Sequence, residues 1–212
     1  MSPEGNLDVG VYEEQVLPRL IDIALRGGEL SRIRRRAASG LSGEVLEVGF
    51  GSGLNVPFYP DTVTRVRAVD PARVARGLSA KRVAASTVPV EFVGLDGQDL
   101  PIEDGSVDHV LVTWTLCTIP DVEVALSEIR RVLRRGGQLH FAEHGRSPDA
   151  ATASWQDRLT PLQMRLFGGC HLNRQVDTLI ESAGFELLEL DKRYLSGPKP
   201  LTYTFEGRAT PT

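Results

Sequence analysis

The chain is short of cysteine and aromatic residues, has no surplus of basic charge, and contains no long apolar run. Each of these absences excludes something. Cys117 and Cys170 are the only two cysteines in 212 residues. They lie far apart in sequence, so they suggest neither a disulfide framework nor a zinc-ligand spacing. They read as free thiols in a reducing compartment, and no metal is expected. No apolar stretch approaches the ~20 residues that span a bilayer. The N-terminal Met-Ser-Pro-Glu-Gly-Asn-Leu-Asp lacks the basic-then-apolar order of a secretion signal. A cytoplasmic protein without a membrane anchor is therefore expected. Lys and Arg total 24 against 28 Asp and Glu, a net charge of −4. This balance disfavours a nucleic-acid binder, which needs a basic face to neutralise phosphates. There is no internal repeat and no low-complexity segment. The length suits one domain with a sizeable core.

The most informative segment is Val45-Leu46-Glu47-Val48-Gly49-Phe50-Gly51-Ser52-Gly53. An apolar run ends in an acid, and glycines then occupy alternate positions. Glycine tolerates positive φ and has no Cβ, so the backbone can turn sharply and approach a ligand. A strand leading into such a loop holds nucleotide-like cofactors at the mouth of a parallel sheet. The dinucleotide pattern G-x-G-x-x-G is absent, because Leu54 and Val56 stand where its last glycine would fall. Glu47 would also repel a pyrophosphate and suits a cofactor carrying a cation.

Patterning supplies the frame. Residues 11–38 read as helical, broken at Gly27-Gly28, with Val16, Leu20, Ile23 and Ala24 on one apolar face. Arg32, Arg34, Arg35 and Arg36 read as a solvated face near a helix end. Strands are expected at 44–48, 65–70, 90–93, 107–113, 138–143, 185–190 and 201–205. Helices are expected at 72–86, 121–135 and 173–183, with Gly136-Gly137 stopping the second. Residues 145–171 read as less regular. Alternating strands and helices imply a parallel sheet covered on both faces. The last two strands are too close for a helical crossover and should pair antiparallel. Asp70, at the end of the second strand, can accept from two ribose hydroxyls or cap the following helix.

The E-x-G-x-G-x-G spacing resembles motif I of the class I S-adenosylmethionine-dependent methyltransferases. Gly94-Leu95-Asp96-Gly97-Gln98-Asp99-Leu100-Pro101, followed by the acid-rich turn Glu103–Asp108, is similar to the stretch before the fourth strand in the type 11 family. Arg130–Gly137 resembles that family's R-V-L-R-P-G-G turn, with Arg135 in place of the proline. Glu143-His144, Leu116-Cys117 and Gly168-Gly169-Cys170-His171-Leu172-Asn173-Arg174 resemble the methyltransferase-like thiol methyltransferases. Gly168 and Asn173 depart from the Asp and Thr of that subfamily, and its animal members' hydrophobic N-terminal anchor is not found.

The resemblance implies a Rossmann-like α/β fold: a seven-stranded, mostly parallel sheet with an antiparallel last strand and helices on both faces. One domain is expected over 1–212, with a helical cap at 1–38 and an acceptor-side insertion at 145–172. The implied cofactor is S-adenosylmethionine, which becomes S-adenosylhomocysteine. The residues implied to bind it are Glu47, Gly49, Gly51, Gly53, Asp70, Asp96, Gly97 and Thr113. Asp96 and the Gly97 backbone fall at the adenine contact, although Asp96 could equally form an Asx turn. Thr113-Trp114 borders cofactor and acceptor, and Trp114 could be lining or core. His144 and His171 are the candidate bases, each with a structural hydrogen bond as the alternative. His109 and His140 read as structural. The expected activity is methylation of a small-molecule acceptor, with a thiol first. Lipid or quinone methylation, or a catalytically silent cofactor-binding module, are the alternatives.

Overall fold

In the computed structural model, residues 12–212 are described. β-branched runs punctuated by glycine turns form seven strands, β1 (Gly43–Val48), β2 (Val63–Val69), β3 (Val90–Gly94), β4 (Val107–Thr113), β5 (Leu133–His144), β6 (Phe185–Tyr194) and β7 (Tyr203–Pro211). The helices are α1 (Leu17–Ala24), α2 (Gly28–Ala38), α3 (Arg73–Ala84), α4 (Val122–Val132), α5 (Ala150–Leu166) and α6 (Val176–Ser182). Shorter helical turns occupy Tyr12–Val16, Val56–Phe58 and Lys199–Thr202.

The strands form one sheet in the order β3-β2-β1-β4-β5-β7-β6. Strands β1 to β5 pair in parallel. Strand β7 runs antiparallel to both β5 and β6. The chain winds outwards in opposite directions from β1 and β4. The connections after these two strands diverge and leave a crevice at their carboxyl ends, where open α/β sheets bind ligands.

Period-2 alternation assigns the two faces. Leu46 and Val48 pack with Val110, Val112, Leu126, Ile129 and Phe141 on one side. Val45 packs with Ile33, Ala37, Leu41, Leu111 and Ala142 on the other. Burial of each such side chain contributes about 1.5–3 kcal/mol, which makes β1 a rigid base for the glycine loop.

Three sequence expectations are corrected. The stretch read as irregular contains α5, capped where the Asp149 side chain accepts from Thr152 N at 2.8 Å. Pro161 inside this helix hides it from pattern reading, because proline normally ends a helix. Helix α4 stops at Val132 instead of running to the glycines, and β5 begins at Leu133. The apolar face expected at Val16, Leu20, Ile23 and Ala24 is exposed, while Leu17, Pro18 and Asp22 are buried. Packing onto the rest of the fold, not helical periodicity, sets which side of α1 is covered. Residues 1–11, including the start of the expected cap, lie outside the described residues.

Candidate active site

The crevice holds a cavity of about 460 Å³, a size suited to a cofactor-sized ligand. Its floor is the glycine loop after β1. Gly49 has φ +77°, and a Cβ there would collide with the Thr115 side chain. Only glycine lets this loop cross beneath the cavity. Gly51 also lines it, whereas Gly53 lies just outside the lining, packed against Ser79 and Val56.

Asp70 lines the cavity at the end of β2. Its Oδ2 accepts from Gly51 N at 2.7 Å and its Oδ1 from Ala72 N at 2.8 Å. One carboxylate therefore shapes the loop, caps the turn into α3 and faces the cavity. Burial raises its pKa against the pull of these two N–H groups. Asp96 and Gly97 line the same end. Asp96 is exposed and accepts from Gln98 N at 2.8 Å, the Asx turn weighed as its alternative role.

The opposite wall centres on Arg34, a residue expected on a solvated face. It is only 4% exposed and lines the cavity. Its Nη1 donates to Asn55 Oδ1 and to Thr113 Oγ1, each at 2.9 Å. Its guanidinium lies 4.6 Å from the Trp114 ring centroid. The Nε has no partner among the described residues. Burial pushes its pKa down to about 10, opposed by nearby Glu47. Arg36, from the same cluster, forms a two-pronged pair with Glu206, at 2.8 and 2.7 Å. The i, i+3, i+4 pattern that places Ile33 and Ala37 in the core also turns Arg34 inward, and this was the available sequence signal.

Glu47 does not line the cavity. It is buried beneath the loop, where it accepts from Asn55 Nδ2 at 3.0 Å and from the Tyr59 hydroxyl. Burial pushes its pKa up to about 7. Through Asn55, Glu47 is linked to Arg34 and Thr113, so the motif acid organises this wall from behind. Thr113 lines the cavity, and so does Trp114, the non-glycine residue at positive φ (50°). A bulky residue at that φ is strained, a feature that clusters at functional sites.

Helix α1 roofs the cavity with Leu17, Pro18, Ile21 and Leu25. Asp22 latches it to the floor. Its carboxylate accepts from Ser52 Oγ at 2.6 Å and pairs with Arg82 at 3.1 Å and with Arg26. Burial raises the Asp22 pKa, but the Ser52 hydroxyl and the two arginines outweigh it and hold the group below its ordinary value. Sequence reading missed this latch, since its ends share no local pattern. Phe167 and Gly168 complete the roof from the far side.

Neither His144 nor His171 lines the cavity. His144 Nε2 lies 2.9 Å from Cys170 Sγ, and Cys170 Sγ lies 3.7 Å from Cys117 Sγ. Hydrogen bonds with Cys117 and His144 pull the Cys170 thiol below its ordinary value, and the sulfur in turn raises His144 against the effect of burial. His171 N donates to Cys117 O at 2.8 Å, and its Nδ1 lies 3.2 Å from the same oxygen. Glu143 is buried. Its Oε1 accepts from Thr115 N at 2.6 Å and Leu116 N at 3.0 Å, fixing the loop that carries Trp114. Burial lifts Glu143 to about 7. His140 is fully buried against Ala37 O and His109.

Residues 46–141 match the family described as methyltransferase domain. Human thiol S-methyltransferase TMT1A is 38% identical over 185 residues, 85% of this chain and 72% of the relative. Human thiol S-methyltransferase TMT1B is 34% identical over 174 residues, 79% and 69% of the two chains. A solved S-adenosylmethionine-dependent methyltransferase from Aquifex aeolicus superposes with a TM-score of 0.61 at 17% identity, covering 91% of this chain and 97% of that one. The residues present fit the cofactor these similarities imply: a floor of glycines at positive φ, a carboxylate at the end of β2, and a buried arginine in the lining. No helix among the described residues is long and apolar enough to cross a membrane. The floor, the two walls and the relatives agree: this chain belongs to the class I S-adenosylmethionine-dependent methyltransferases and acts as an enzyme of that family.

Proposed function

We propose that the chain methylates the sulfur of a small, largely apolar thiol. The carrying observation is that relatives 34–38% identical over most of the chain are thiol S-methyltransferases. The roof supports the same reading. Leu17, Pro18, Ile21, Leu25 and Phe167 present no charge to the cavity, so they favour an uncharged acceptor and exclude water from it.

S-adenosylmethionine, when bound, supplies an electrophilic methyl group on a sulfonium. The protein's own residues bind, align and deprotonate. Asp70 accepts from ribose hydroxyls, and Asp96 with the Gly97 backbone meets the adenine. Arg34, which lines the cavity, sets a buried positive charge towards the methionine carboxylate. Glu47 and Asn55 hold Arg34 and Thr113 in place. Alignment is the main catalytic contribution in an in-line displacement.

His171 is the base of this proposal; since it does not line the cavity, it would take the proton through one bridging water. A hydrogen bond from its Nδ1–H to Cys117 O would fix the tautomer that leaves Nε2 free to take a proton. His144, whose Nε2 is engaged by Cys170, is worse placed for that role. A thiol with pKa near 8.5 needs little help to ionise. The test incubates the enzyme with S-adenosylmethionine and a panel of thiols, phenols, amines and lipids, following S-adenosylhomocysteine release. Methylation of thiols above all other classes is expected, and turnover confined to a lipid or an amine would refute the acceptor. His171→Ala should lower kcat at neutral pH without changing S-adenosylhomocysteine affinity, and the loss should shrink as pH rises past the thiol's own pKa. A variant with wild-type kcat at pH 7 would remove His171 from the role.

A further inference from the structure

We propose that Cys117, His144 and Cys170 form a zinc site behind the acceptor wall of the cavity. Cys117 comes from the loop after β4, His144 from the last residue of β5, and Cys170 from the loop after α5. Their donor atoms, two Sγ and Nε2, all lie within 4.8 Å of one another.

The donor set names the metal. Two thiolates and an imidazole are soft to borderline ligands, which favour zinc and disfavour magnesium or calcium. The geometry agrees. Zinc bond lengths of about 2.3 Å to sulfur and 2.0–2.1 Å to nitrogen place tetrahedral ligands about 3.8 Å apart for S–S and about 3.6 Å for S–N. The observed Sγ–Sγ distance is 3.7 Å. The imidazole, 2.9 Å from Cys170, needs to retreat by about 0.7 Å to open the metal position. Both cysteines are buried, Cys117 3% and Cys170 7% exposed. Two thiolates exactly balance a dication, so the filled site carries no net charge into the interior. Three protein ligands leave a fourth coordination position, and half-buried His144 marks the side that water can reach.

Other readings use less of what is present. A disulfide would require the sulfurs to close to about 2.0 Å and would leave His144 without a purpose. A Cys170–His144 ion pair would use Cys117 only as a hydrogen-bond partner of the Cys170 sulfur. A bound metal engages all three groups. It also ties the end of β5 to two segments that border the cavity: Thr115 and Thr118 flank Cys117, and Phe167 and Gly168 precede Cys170. Zinc here would rigidify the acceptor wall and stand outside the methyl-transfer path.

The experiment equilibrates the purified reduced chain with zinc, removes excess metal by dialysis, and measures zinc by elemental analysis. One zinc per chain is expected. Cobalt in its place should give a thiolate-to-metal charge-transfer band in the near ultraviolet and intense tetrahedral bands in the visible. Cys117→Ser and Cys170→Ser should each weaken zinc at least about 100-fold, since losing even an outer partner costs about 10–100-fold. The neighbouring His171→Ala variant should keep the metal. Should the serine variants fail to fold, the wild-type chain still decides the matter: a chelator should lower its Tm and expose both thiols to a thiol reagent, and added zinc but not magnesium should reverse both effects. A reduced wild-type chain that retains no zinc and shows no cobalt–thiolate band overturns the proposal. S-adenosylhomocysteine is titrated into the same preparation, so loss of the zinc site is distinguished from failure of the methyltransferase reading.

Discussion

Asp70→Asn is the sharpest perturbation of the cofactor site, because it preserves shape and removes only charge and one acceptor. Both carboxylate oxygens are already engaged, Oδ1 by Ala72 N at 2.8 Å and Oδ2 by Gly51 N at 2.7 Å. Whichever way an amide turns, its NH₂ faces a backbone N–H. Two losses follow. The hydroxyls of a bound ribose lose a charge-assisted acceptor worth about 1.5–3 kcal/mol, which at 1.4 kcal/mol per decade is about a 10–150-fold rise in Kd. Either the glycine loop loses its bond from Gly51 N or the turn into α3 loses its bond from Ala72 N, leaving a half-buried N–H unpaired at about 1–3 kcal/mol. For a chain of this length each kcal/mol lowers Tm by about 2–4 °C. The assay is calorimetric titration with S-adenosylhomocysteine, paired with thermal unfolding of the free protein. The expected result is weaker binding together with a fall of several degrees in Tm. An unchanged Kd would refute the ribose role, and an unchanged Tm would refute the anchoring of the backbone at Gly51 and Ala72, so the two halves fail separately.

Two further outcomes follow from the same geometry. Arg34→Met should leave Asn55 and Thr113 without their shared donor and weaken S-adenosylhomocysteine by roughly 10-fold or more. Arg34→Lys should fail to restore it, because an ammonium lacks the planar guanidinium that bonds Asn55 and Thr113 while lying against the Trp114 ring; full affinity in either variant would return Arg34 to a packing role. Burial and the neighbouring His109 ring push His140 down to about 4. The folded chain therefore keeps His140 neutral while the unfolded chain binds its proton near pH 6.5. Stability from this group is complete above about pH 6.5 and is lost as pH falls towards 4, by on the order of 3 kcal/mol. Urea midpoints across that range should show the slope, and His140→Gln should flatten it; equal slopes in the two chains would refute the assignment.

The fold was largely legible because its signals are local. Short β-branched runs mark the first four strands, and the short link before β7 dictates antiparallel pairing. The failures were local conflicts resolved by distant contacts. Pro161 disguised α5, whose Gln156 is buried and bonds the carbonyls of Gly145 and Pro200 at 2.9 and 3.1 Å. The apolar residues of α1 pointed to the wrong face, since the Asp22 latch to Ser52 and Arg82 decides which side meets the protein.

By itself the sequence determined the cofactor class and marked the glycine loop and strand ends that line the cavity. E-x-G-x-G-x-G after an apolar strand, with Asp70 and Asp96 to follow, encodes a backbone path that only glycines permit and carboxylates at successive strand ends. Such information is carried by neighbours in the chain. Tertiary structure alone decided which polar side chains leave water. Arg34 could be solvated or buried on sequence grounds, and its partners Asn55 and Thr113 lie 21 and 79 residues away. Glu47 was legible as part of the motif, but its place beneath the loop was not. Cys117, His144 and Cys170 have no recognisable spacing, because they come from three separate segments, after β4, at the end of β5 and after α5. A buried polar group must find partners wherever the fold supplies them, and that requirement is satisfied across space, with no trace left in the periodicity of the chain.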